Sequence, residues 1–209
     1  MARIISMTAA TVERPARIVV GSPFLAEQEN KMARRKIDRA SVPFAFAAID
    51  FETADYGRDS ACSVGVVRVE RNKIVERVHH LIRPPRRHFV FSYVHGITWD
   101  DVADAPTFRQ VWPSIRKTLE GVEFLVAHNA SFDRAVLNAC CERARLRAPA
   151  HSFHCTMRIA RHVWNVRPTA LPDVCKKLRI GLDHHDAASD AHACARILIA
   201  AMKAGWSPE

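Results

Sequence analysis

The sequence predicts an α/β protein: a mixed five-stranded sheet, its first three strands antiparallel, flanked by helices. Three observations predict it. Three β-rich runs follow one another through short polar turns, which is the pattern of an antiparallel meander. Further apolar runs then alternate with helical patterns in the order β-β-β-α-β-α-(β)-α-α, and this order sets helices on the faces of a mixed sheet. Apolar residues make up 48% of the 209 residues and charged ones 25%, a balance that supports a packed core and excludes wholesale disorder.

Residues 1–41 stand apart. They hold eight basic residues and four acids, carry +4 of the chain's +9 net charge, and show no sustained period, so they read as a weakly ordered basic extension. A folded domain is expected over residues 42–205. Its first strand, about 44–51, is the aromatic-rich run that follows Pro43. Val64, Val66 and Val69 mark a second strand over about 62–70. The polar turn Glu70-Arg71-Asn72-Lys73 leads into a third strand that ends near residue 82, before Pro84-Pro85. Residues 84–106 read as loop. Thr107 is placed to cap a helix that runs to about Glu120. Glu123–Ala127 is a buried fourth strand, followed at once by a helix to about Arg145. Residues 153–163 suggest a short strand or turn and then a helix. Pro172 opens a short helix over 171–178, and a last helix runs from about Asp186 to Met202.

Four acids occupy positions where acids are costly. Asp50 and Glu52 end the first strand and, one residue apart, share a face of it. Two carboxylates side by side at the end of a buried strand repel each other and resist desolvation. The last helix carries the apolar stripe Ala187, Ala191, Cys194, Ile197, Leu198 and Ala201, and Asp190 lies within that stripe. Asp133 continues the inward face of its own helix, which holds Val136, Leu137, Cys140 and Cys141. Alone, Asp133 is an ordinary first-turn acid favoured by the helix dipole, and Asp190 could be paired with a base. Together the four acids, drawn from one strand and two helices, point to a shared site for a hard cation that takes oxygen ligands. His185, near the start of the last helix, reads alone as a cap or a surface residue.

The basic balance suits a polyanionic partner, nucleic acid before a membrane surface. No apolar run approaches the ~20 residues that a membrane helix requires, and the first twenty residues lack the apolar centre of a signal peptide. The six cysteines form no C-x-x-C pair and read as reduced thiols of a cytoplasmic protein. His151, His154 and Cys155 have no second ligand pair at zinc spacing.

Asp50-Phe51-Glu52-Thr53, the segment from His128-Asn129 to Phe132-Asp133, and His185 through Asp190 resemble, in order, the three motifs of the DEDD exonucleases in their histidine-bearing variant. That family includes the proofreading subunit of bacterial DNA polymerase III and ribonuclease T. Val94-His95-Gly96-Ile97 is similar to the family's H-G-I loop, and the resemblance spans about 43–203. The chain departs from the family at Ala54-Asp55 and at Cys155-Thr156, where many members have Thr-Gly and Asp-Thr.

The resemblance implies a ribonuclease H-like fold and removal of single nucleotides from 3′ ends, with two Mg²⁺ or Mn²⁺ ions about 3.5–4 Å apart. It implies that Asp50 bridges both ions, that Glu52 and Asp190 complete the first site, and that Asp133 holds the second. His185 would take the proton of the attacking water. Thr53, His95, Asn129 and Phe132 are the residues expected to contact the terminal nucleotide. Single-stranded or frayed DNA is the expected substrate; the alternatives are RNA trimming and a silent nucleic-acid-binding module. The chain ends soon after its last helix, where the polymerase subunit has a docking segment. A stand-alone nuclease is therefore expected, ahead of one bound to a polymerase.

Overall fold

The computed structural model describes residues 45–208. The N-terminal extension lies outside the described residues, as does Phe44, the expected first residue of the opening strand. Five strands form one sheet: β1 (Ala45–Thr53), β2 (Ala61–Glu70), β3 (Lys73–Leu81), β4 (Phe124–Ala127) and β5 (Ser152–Cys155). Their order is β3-β2-β1-β4-β5. The first three are antiparallel, as the short turns require, while β4 pairs parallel to β1 and β5 parallel to β4. β1 is thus central, which explains its unbroken apolar run.

Alternation along β1 divides the core. Ala47, Ile49 and Phe51 face one layer, where they meet α3 (Phe108–Thr118) and α4 (Ala130–Arg143). Phe46 and Ala48 face the other, against α5 (Thr156–Trp164), α6 (Leu171–Leu178) and α7 (Ala187–Lys203). Each fully buried Ile, Leu or Phe in these layers contributes about 1.5–3 kcal/mol. The stripe read from the sequence of α7 is buried throughout. Thr107 is the N-cap of α3, and its N–H donates to Gln110 Oε1 at 2.8 Å.

Two features differ from expectation. Residues 84–106 are not all loop: they contain two short helices, α1 (Ser92–His95) and α2 (Trp99–Val102). The first strand also runs further, to Thr53, with its register against β2 shifting between Glu52 and Thr53. Asp50 and Glu52 therefore sit inside the strand, with Glu52 directly before this shift of register. Among the described residues no helix is long and apolar enough to cross a membrane.

Candidate active site

Because β1 and β4 are parallel, their C-terminal ends open on the same side of the sheet, where ligands of α/β sheets bind. Asp50 and Glu52 are on β1 there. They follow Phe46 and Ala48 in alternation, so they face the layer of α7. Asp133 arrives from the first turn of α4, which begins directly after β4. It is buried, and one of its oxygens accepts the Phe51 N–H of β1 at 3.1 Å, which ties the helix end to the strand between the two acids. Asp190 arrives from the first turn of α7 and is also buried.

The approach of α7 depends on Gly65, which pairs with Asp50 across the β1–β2 ladder. A Cβ at Gly65 would overlap the backbone carbonyl of Ala187, the first residue of α7. The absent side chain lets the helix end close on the sheet beside Asp50.

Asp190 Oδ2 accepts from His184 Nδ1 at 3.0 Å and from the His185 N–H at 3.2 Å. Its Oδ1 is buried and has no hydrogen-bond partner among the described residues. A bare buried carboxylate oxygen is costly unless a cation supplies the missing interaction. Asp50, Glu52 and Asp190 each place an oxygen within 4.8 Å of the others. Burial raises the pKa of Asp50, and the charges of Asp133, Asp190 and Glu52 raise it further. Burial, then Asp190 and Asp133, pushes Glu52 up to about 8. Burial raises Asp133, against the opposing hydrogen bond from Phe51, and it raises Asp190, against His184 and His185. An all-oxygen set with excess negative charge and an orphaned oxygen fits a hard divalent cation.

The carboxylates line a cleft of about 480 Å³, together with His185, Asn129 and Phe132. Asn129 adopts a left-handed conformation at φ 60° as it turns β4 into α4. The Arg58 guanidinium lies 4.5 Å from the centre of the Phe132 ring. His185 also has a positive φ, 69°, and its ring stacks on His184 at 3.7 Å. Its pKa is lowered, first by partial burial and then by His184, which favours the neutral imidazole. Asp55 is not a fifth acid of the cleft, because Arg86 pairs with it at 2.8 Å and with Asp59 at 2.6 Å.

Thr53 and His95 do not line the cleft. Thr53 is buried, and its carbonyl accepts from His95 Nε2 at 3.2 Å. The other ring nitrogen of His95, Nδ1, accepts the Ile97 N–H at 3.0 Å. Both nitrogens are engaged, so His95 clamps the H-G-I loop onto the end of β1. Two further cleft residues, His184 and Arg161, are not evident from the sequence, and His128 enters there only as part of the second motif. His184 holds Asp190, and Arg161 donates to Thr169 Oγ1 at 2.8 Å. His128 links Thr156 and the Thr169 carbonyl at 2.8 and 2.9 Å; burial pushes its pKa down to about 4, so it is neutral and structural. Arg161 stands three residues before the end of an amphipathic helix, a position with no signal of its own in sequence.

This set of carboxylates has the chemistry to hold a hard cation, at a cleft that His185 also lines. Over residues 47–198 the sequence matches the RNase_T exonuclease family. The chain is an exonuclease of that family. Exodeoxyribonuclease 10 of Escherichia coli K12 is 35% identical to it over 170 residues, which cover 77% of this exonuclease and 70% of that protein. The PolC-type DNA polymerase III of Thermotoga petrophila is 29% identical over 158 residues, 74% of this chain but 12% of the polymerase. The exonuclease thus spans about an eighth of the length of that relative. The structure of exonuclease X in complex with 5′-overhanging duplex DNA superposes with a TM-score of 0.64 at 31% identity, over 78% of this chain and 94% of that one. The nuclease domain of 3′hExo, a DEDDh member bound to rAMP, superposes with a TM-score of 0.66 at 22% identity, over 79% and 94%, and shows the shared fold. The ribonuclease H-like sheet and membership of an exonuclease family, both expected from the sequence, hold for this chain.

Proposed function

We propose that residues 42–205 form a catalytic domain that releases nucleoside 5′-monophosphates one at a time from the 3′ ends of single-stranded or frayed DNA, with two Mg²⁺ or Mn²⁺ ions. The observation that carries this reading is the convergence of Asp50, Glu52 and Asp190, with one oxygen of each within 4.8 Å of the others and Oδ1 of Asp190 buried without a hydrogen-bond partner among the described residues. Asp50, Glu52 and Asp190 would hold one ion. Asp133, whose charge acts on Asp50, would hold the second with it. When bound, such ions neutralise the scissile phosphate and acidify the attacking water. His185, which also lines the cleft, would accept the proton of the attacking water. Asn129 and Phe132 bound the space for the terminal nucleotide, where base stacking on an aromatic ring is sequence-tolerant. Arg161, held by Thr169, brings positive charge to the same wall.

DNA is favoured over RNA because the relatives at 31–35% identity are an exodeoxyribonuclease and an exonuclease bound to DNA. The six cysteines are free thiols, five of them buried, which suits a reducing cytoplasm.

The test uses 5′-labelled single-stranded DNA and a matched RNA with Mg²⁺, with and without EDTA, and includes the variant His185→Ala. A ladder that shortens from the 3′ end, is abolished by EDTA and is much slower in the variant is the expected result. Faster shortening of RNA would transfer the reading to an RNA-trimming enzyme. No shortening of either by folded protein would leave a silent binding module.

A further inference from the structure

A second depression of about 600 Å³ adjoins the active-site cleft at Asn129 and Met157, which line both. One wall of this groove is the outer face of α4, where Ser131, Arg134 and Asn138 recur at helical spacing. The other is the start of α5, which offers Arg158 to the groove and, three residues on, Arg161 to the cleft. Phe153 and Cys155 also line it, and no acid does. Arg134 and Arg158 are exposed, and neither guanidinium forms an ion pair or a hydrogen bond with the described residues. The acids lie on the cleft side: Asp133 and Arg134 are neighbours in sequence, but helical rotation sends the carboxylate to the reaction centre and the guanidinium to the groove.

We infer that this groove is the track for the phosphodiester backbone upstream of the terminal nucleotide, with Arg134 and Arg158 each pairing with a phosphate. Guanidinium groups match phosphate geometry with paired donors. A groove without acids, adjoining a cleft that would hold the 3′ end, sets them along a path open to the rest of the strand. The inference rests on the function proposed above, since its occupant is a polynucleotide.

Binding is measured first, without catalysis: the fluorescence anisotropy of a labelled single-stranded DNA of about 12 nucleotides in EDTA, over a range of salt. In R134Q/R158Q, affinity is expected to fall roughly tenfold or more, and the salt slope by about 1.4, at ~0.7 for each single-strand phosphate that is no longer neutralised. R134K/R158K, which keeps both charges, should retain most of the slope. In the nuclease assay, the wild-type KM should fall as substrates lengthen from dinucleotide to oligonucleotide, and that fall should flatten in the glutamine variant. Wild-type affinity, salt slope and length dependence in R134Q/R158Q would overturn the groove while leaving the exonuclease reading intact. An effect seen only on overhanging duplexes would also overturn it, because the groove would then hold the complementary strand. Binding that shows the expected slope without any cleavage would instead defeat the proposed function and keep the groove.

Discussion

Asp190 joins the two halves of the site. One oxygen is held by His184 and the His185 backbone, and the other is buried without a hydrogen-bond partner among the described residues, while a carboxylate oxygen of Asp190 lies within 4.8 Å of those of Asp50 and Glu52. In Asp190→Asn the shape persists while a negative charge is removed. Metal-dependent cleavage is expected to fall at least about 100-fold, the scale of losing a metal-site partner. The melting temperature of the metal-free protein should hold or rise, because the remaining acids repel less. Retained cleavage in a steady-state assay would remove Asp190 from the site. At this scale the sequence is legible where a residue breaks a pattern. Asp190 inside an apolar stripe, and Asp50 beside Glu52 at the end of a buried run, are conspicuous for that reason. His184 is not, because its contact with Asp190 depends on the left-handed turn at His185. The H-G-I motif assigns His95 to the nucleotide, yet backbone groups of Thr53 and Ile97 occupy both its nitrogens.

At the scale of elements, the site is an outcome of how α7 docks. The buried stripe of α7 sets the helix on the sheet, and Gly65 sets how closely its first turn approaches Asp50. In Gly65→Ala the new methyl group would meet the backbone of Ala187 and Ala188, which cannot rotate aside as a side chain could. Overpacking of this kind costs about 1–3 kcal/mol, or a few degrees of melting temperature in a domain of this size. A displacement of about 1 Å in a reacting group can cost roughly 100-fold in rate. Both losses are expected together, read by thermal denaturation and by nuclease rate; full activity in the variant would show that the helix end is not positioned by this contact. The long helices are readable because their period of 3.6 is repeated several times, and the buried strands because they are short apolar runs bounded by turn residues. α1 and α2 are four residues each, too short to repeat any period, so the segment around them reads as loop. A glycine within a strand signals close approach of something, but only the folded chain identifies the end of α7 as the neighbour.

At the scale of the molecule, His128 and the four carboxylates respond to pH in opposite directions. His128 is held neutral with a pKa near 4, below its ordinary value, so between about 4 and 6.5 the unfolded chain binds more protons than the folded one. Stability from this residue is complete above that window and is lost as the solution is acidified through it. The four carboxylates are raised, Glu52 to about 8, so without metal the folded chain binds more protons than the unfolded one from their ordinary values up to that point. Their effect is to lower stability as pH rises. The two effects compete below pH ~6.5, and above it only the carboxylates remain. Between pH ~6.5 and 8 the melting temperature of the protein in EDTA should therefore fall. A divalent cation needs those carboxylates ionised and binds only the folded site, so Mg²⁺ or Mn²⁺ should raise the melting temperature, and more at pH 8 than at pH 6.5. Asp190→Asn should reduce this metal-dependent increment across the range. A metal increment that is absent, or that shrinks as pH rises, would mean that the acids are balanced by protein groups alone, and the two-ion reading would lose its physical basis.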